Sequence, residues 1–166
     1  RRGSYHGMTY GAMSLTSLRN EAWYGPFMYG VSFVPHPNRY RSDFGSEGEA
    51  ADEMAARAIE QEIESQGPET VAAVIGEPIS SAAGLHVPSQ RYWSLVREIC
   101  DRHGVLLIAD EVINGFGRTG TLFAIEQYDI VPDILTIAKG LSSGYAPIAA
   151  TIVRDEVFQI FKEQKS

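Results

Sequence analysis

LLIADEV, residues 106–112, is an apolar run that stops at two adjacent carboxylates, Asp110 and Glu111. A continuous apolar stretch of this length suits a strand buried on both faces. With Val105 included, VLLIA (105–109) has close counterparts in VAAVI (71–75), bounded by Pro68 and Pro78, and in ILTIA (134–138), with IAATIV (148–153) as a fourth strand by pattern. Between them Ser89 is placed to cap a helix in which Tyr92, Leu95, Val96, Ile99, Cys100 and His103 recur at helical spacing until Gly104. Upstream, GSEGEAADEMAARAIEQEIESQG (45–67) reads as a helix, with Ser46 and Glu49 as capping box, Met54, Ala58, Ile59 and Ile63 as its inner stripe and Gly67 as its stop. Apolar strands alternating with helices predict an α/β fold with a mostly parallel sheet covered on both faces, a three-layer αβα arrangement. No repeat, low-complexity tract or linker divides the 166 residues, so one domain is expected.

Composition narrows the function classes. The net charge of −7 argues against broad attraction to nucleic acid or anionic lipid, and a small-molecule partner is expected. No apolar stretch is long enough to cross a bilayer, and the N-terminal residues lack a secretory apolar core, which makes the cytoplasm the expected location. Cys100 is the only cysteine, so an internal disulfide is excluded. The histidines at 6, 36, 86 and 103 have no metal-ligand spacing among themselves or with Cys100, and no metal is expected.

The chemistry is carried at strand ends. Ligands of open α/β sheets collect at the carboxyl ends of the strands, where loops surround a crevice. Glu77 follows VAAVI, Asp110 follows VLLIA directly and Lys139 follows ILTIA directly, so three strands deliver three ionisable groups to one rim. Partial burial there would lower the proton affinity of the lysine and make it a nucleophile able to form a Schiff base with a carbonyl compound. The acid could hold a proton on a heterocyclic nitrogen, and the two tasks together are what pyridoxal 5′-phosphate (PLP) requires of a protein. A solvated Asp–Lys ion pair is the plainer reading of the same spacing.

SYHG (4–7), GEPISSAAGLHVP (76–88), LLIADEVINGFGRTG (106–120) and LTIAKGLSSGYAPIAA (135–150) resemble, in order and interval, the corresponding stretches of class III, omega-type aminotransferases. These are PLP enzymes of the aspartate-aminotransferase fold, fold type I. The resemblance implies that Lys139 forms the Schiff base with PLP and shuttles the substrate α-proton, and that Asp110 bonds the pyridine nitrogen. It further implies that Val112 packs on one ring face and Tyr5 on the other, with His6 supporting Asp110 and Glu77 joining the same polar network. Glu111 points away if the strand alternation continues, and it is assigned no chemistry.

The implied reaction moves an amino group from an amine or ω-amino acid to a 2-oxo acid, and the implied assembly is a homodimer. Where ornithine and 4-aminobutyrate members typically carry an EPIQGEAG-like stretch, this chain has EPISSAAG (77–84), and Ala82 cannot pair with an arginine. Pyruvate is therefore the expected acceptor. FGSEGEAADE (44–53) resembles the family's phosphate-binding loop but follows SYHG instead of preceding it, so it is read as a helix start. Residues 1–166 are expected to form a partial PLP-binding large domain without the phosphate-loop region and the C-terminal small domain, and this segment alone is expected to be inactive.

Two other readings stand beside this one. GFGRTG (115–120) fits G-x-G-x-x-G and would serve an NAD(P)-dependent oxidoreductase if it joined a strand directly to a helix N-terminus. The chain could also be a non-catalytic fragment.

Overall fold

A computed structural model describes residues 1–17 and 21–163. Two short helices, α1 (Tyr10–Leu15) and α2 (Glu21–Tyr24), precede the long α3 (Gly48–Gln66). After these come β1 (Ala73–Gly76), α4 (Gln90–His103), β2 (Leu106–Asp110), β3 (Ile134–Ile137), β4 (Ala150–Val153) and α5 (Asp155–Glu163). The sheet order is β1-β2-β3-β4, with β1, β2 and β3 parallel and β4 antiparallel to β3. The expected α/β fold with a mostly parallel sheet is therefore present; β2 is as long as its apolar run but shifted by one residue, and the other strands are one or two residues shorter than theirs.

The core forms where α3 and α4 meet the sheet. Ala55, Ala56, Ile59 and Ile63 of α3 and Tyr92, Trp93, Leu95, Val96, Ile99 and Cys100 of α4 cluster with Leu107, Ala109, Leu135 and Ile137 of the strands. Alternate strand residues Leu106, Ile108, Ile134 and Thr136 are only half-buried, so within the described residues the sheet is closely covered on one face rather than equally on both.

Helix α4 follows its sequence pattern closely. The Ser89 side chain accepts the Tyr92 amide at 3.2 Å, a cap worth about 1 kcal/mol. Gly104 closes the helix in the left-handed conformation at φ 66°. In α3 the expected capping box is absent. The helix starts later, after Glu47, and Ser46 Oγ lies 3.3 Å from Met54 Sδ instead. The inner stripe differs from the expected one: Met54 is exposed and Ala58 half-buried, while Ala51, Asp52, Ala55, Ala56, Ile59 and Ile63 face inward. Asp52 takes the inward place because one of its oxygens accepts the Ser89 amide at 2.7 Å, tying the two helices together.

The end of the sheet remote from the strand carboxyl ends is pinned by Asp133. One carboxylate oxygen accepts the Leu107 amide at 2.7 Å and Arg97 Nη1 at 2.8 Å, and the other accepts Arg154 Nη1 at 2.9 Å. Burial pushes this carboxyl up, but the Leu107 amide and the Arg97 guanidinium, joined by Arg154, outweigh it and hold it below the usual value.

Candidate active site

Parallel pairing sets the carboxyl ends of β1, β2 and β3 side by side. Gly76 pairs with Ala109, and Asp110 pairs with Thr136, three residues before Lys139. The rim holds a cavity of about 160 Å³ lined by Tyr5, His6, Gly7, Glu77, Asp110, Val112, Ile113 and Lys139. All six residues singled out from the sequence thus border one cavity. A larger groove of about 640 Å³ runs along the free edge of β1, away from these residues.

Asp110 is 6 % exposed, and both its oxygens have partners. Oδ2 is 2.7 Å from His6 Nδ1, so a protonated Nδ1 donates to it, and Oδ1 accepts the Val112 amide at 3.1 Å. The His6 amide in turn donates to Thr16 Oγ1 at 2.8 Å, which anchors the SYHG segment to the end of α1. His6 Nε2 is buried without a partner among the described residues. A carboxylate of this kind keeps lone pairs free for a further N–H donor.

Glu77, at 4 % exposure, does its bonding elsewhere. Its side chain accepts the Tyr5 amide at 3.3 Å, the Ser80 hydroxyl at 3.3 Å and the Ser81 amide at 3.1 Å. It therefore both closes the turn after Pro78 and holds Tyr5 against the rim. Two contributors carried little sequence signal. Arg1 donates to the Glu77 carbonyl, and Gly76 makes room for it, because a Cβ there would lie 3.1 Å from Arg1 Cζ and 3.2 Å from Trp93 Cη2.

Lys139 departs from expectation in one respect. It is exposed, in a single 3₁₀ turn (Lys139–Leu141) followed by a wholly exposed run from 143 to 150, so the partial burial expected of it is absent here. Its backbone is in the left-handed region at φ 42°, sparsely populated by residues with a side chain.

Glu111 lies on the opposite face from Asp110, as strand alternation requires. Its amide donates to the Thr136 carbonyl at 2.9 Å, continuing the strand geometry one residue past β2, and its side chain falls on the same face as Leu107 and Ala109. It is fully buried, and one oxygen accepts the Ile125 amide at 2.7 Å. Burial pushes this carboxyl above its usual value despite the amides of Ile125 and Ala124. A raised carboxyl gives full stability below its unfolded value near 4.5 and loses it as the pH climbs through the folded one. Glu111→Gln, which keeps an acceptor for Ile125, is expected to melt increasingly above wild type as the pH rises from about 4.5 towards neutrality. A difference in melting temperature that stays constant across that range would contradict the assignment.

GFGRTG lies in turns, and the next helical element along the chain is a five-residue 3₁₀ segment, Ala124–Tyr128, so the motif does not open an α-helix. The free helix amides that a dinucleotide pyrophosphate needs are missing from it. Glu60, Glu64 and His103 bring potential metal ligands together on the surface, but Glu60 is already paired with Arg57 and Arg102.

The family model for class III aminotransferases matches residues 1–165. The chain belongs to that family. This class III aminotransferase chain is 43 % identical over 164 residues to the hypotaurine/taurine–pyruvate aminotransferase of Paracoccus denitrificans, a match covering 98 % of the chain and 35 % of the relative. It superposes with a TM-score of 0.94 and 41 % identity on a thermostable (S)-enantioselective omega-transaminase from Thermomicrobium roseum, over 100 % of the chain and 37 % of that structure. The omega-transaminase of Pseudomonas jessenii in complex with PMP matches with a TM-score of 0.93 and 41 % identity, over 99 % of the chain and 37 % of that structure. The chain thus spans about a third of the length of the proteins it matches.

Proposed function

We propose that residues 1–166 are the ring-binding part of the large domain of a PLP-dependent aminotransferase that passes an amino group from an amine or ω-amino acid to pyruvate. One observation carries this reading: in a class III chain, a buried carboxylate and a lysine from the ends of adjacent parallel strands border the same cavity. The donor set fits the cofactor, because Asp110 is already oriented by His6 and Val112 and keeps lone pairs for a ring N–H. The phosphate loop and small domain belong, in this proposal, to other parts of the full-length protein.

When bound, PLP supplies an electron sink for the negative charge left at a carbon that loses its proton. The chain's residues do the rest. Asp110 holds the proton at the pyridine nitrogen through a charge-assisted bond, and His6 holds Asp110 in place. Val112 and Tyr5 confine the ring, Tyr5 through the Glu77 bond to its amide. Lys139 would hold the cofactor through Nζ, and the same nitrogen would carry the proton taken from the substrate.

Pyruvate is favoured over 2-oxoglutarate because Ala82 stands where an acid would otherwise hold an arginine, and the Paracoccus relative is named for pyruvate. A homodimer in the cytoplasm completes the proposal, with the lone buried thiol of Cys100 suiting a reducing compartment. The full-length protein, loaded with PLP and an ω-amine, is expected to aminate pyruvate much faster than 2-oxoglutarate. The reverse preference would overturn the acceptor assignment.

A further inference from the structure

The GFGRTG loop has no part in binding a dinucleotide, yet it is firmly held. Glu111 anchors both its sides: its side chain takes the Ile125 amide at 2.7 Å, and its carbonyl takes the Gly115 amide at 2.9 Å. The Leu122 carbonyl accepts the amides of Phe116 at 2.6 Å and Gly117 at 3.3 Å, folding the loop back on itself. At its base Phe116 is in the left-handed region at φ 62°, an unusual conformation for a bulky residue. Its ring meets Phe123 edge to face, with centroids 5.7 Å apart.

The other side of Phe116 is occupied by Gly140. A Cβ on Gly140 would lie 2.9 Å from Phe116 Cδ2 and 3.0 Å from Phe116 Cβ. Gly140 is not among the glycines with positive φ, so what it contributes is space rather than backbone freedom. It directly follows Lys139, whose own left-handed backbone is supported within the turn only by short-range bonds such as Leu141 N–H to the Ala138 carbonyl at 3.0 Å. Strained residues persist only where their surroundings over-determine them.

We propose that Phe116 is a positioning residue for Lys139: seated on Gly140 and braced by Phe123 and the Glu111-anchored loop, it fixes the turn that aims the lysine. The inference rests on Lys139 being the amine that reacts with PLP, and the experiment separates the two. Cofactor-free full-length protein is mixed with PLP and borohydride, and the initial rate of pyridoxyl labelling at Lys139 is followed by peptide mass spectrometry alongside kcat, KM and the unfolding midpoint.

Phe116→Gly and Gly140→Ala are each expected to slow labelling and lower kcat, toward the roughly 10²-fold that a misplacement of about 1 Å can cost, with KM little changed. Phe116→Gly also loses ring packing on Phe123 and the core and lowers the unfolding midpoint, whereas Gly140→Ala leaves it little changed. Phe116→Leu, which keeps the branch that touches Gly140, is expected to stay near wild type. The double variant Phe116→Gly/Gly140→Ala is expected to be no worse than the poorer single, because both changes act on one contact.

Labelling at the wild-type rate in Phe116→Gly, or losses that add in the double variant or merely track a lowered unfolding midpoint, would overturn the positioning role. Should Phe116→Gly fail to fold, wild-type labelling in Gly140→Ala overturns it equally. Absence of Lys139 labelling in wild type would instead sink the assignment of Lys139 itself, and this inference with it.

Discussion

Lys139→Ala in the full-length protein is expected to lower kcat by at least about 10³-fold, because two separate tasks fall on one nitrogen. Acid–base transfer by a positioned side chain alone is worth roughly 10²–10⁴-fold, and the covalent tether adds to that. The position makes the loss specific. Lys139 sits in a three-residue turn at the rim, outside the buried core, so its truncation leaves the contacts among α3, α4 and the strands untouched. The unfolding midpoint should therefore barely move while turnover collapses, and a small primary amine added to the variant should restore part of the proton transfer. Turnover equal to wild type would exclude the proposed chemistry and leave a non-catalytic role for the segment.

Asp110→Asn is the second large effect expected, and it tests the other side of the cavity. The substitution keeps size and shape but removes the negative charge that His6 and the Val112 amide orient. Removing one member of a buried charged pair costs about 3–5 kcal/mol, which corresponds to roughly 10²–10³-fold or more in rate or affinity. The loss should divide between weaker PLP retention and slower proton removal, since an amide cannot hold a proton on the ring nitrogen. Measuring the PLP dissociation constant and kcat together checks this. If both stay within a few-fold of wild type, Asp110 is a structural partner of His6 and nothing more.

Much of this was legible in the chain because strand ends have a simple grammar. VLLIA and ILTIA give their strands by continuous apolar character, and the residue after each run must emerge at the rim whatever the details of packing. That is why Asp110 and Lys139 could be placed together from the sequence alone. Ser89 and Gly104 likewise bound α4 because caps are decided locally.

The features that escaped depend on partners distant in sequence. Ser46 and Glu49 have the right spacing for a capping box, yet Asp52 is drawn inward by the Ser89 amide and the helix begins at Gly48. The exposure of Lys139 comes from the surroundings of its turn, which no local pattern encodes. Phe116 was hidden inside a motif whose better-known use is nucleotide binding, and only its contact with Gly140 gives it another meaning. Gly76 offered the same kind of clue, a residue without a side chain immediately before a site residue.

The two neighbouring acids at the end of β2 have a consequence for how such proteins can change. Asp110 serves the cavity while Glu111 serves the buried side of the loop, and only a one-residue step separates these duties. Inserting or deleting a single residue within 106–110 would exchange the two side chains between faces, losing the proposed cofactor contact and the loop anchorage in one event. This strand is therefore closed to changes of length, and chimeras assembled from related proteins should place their junctions outside 106–125.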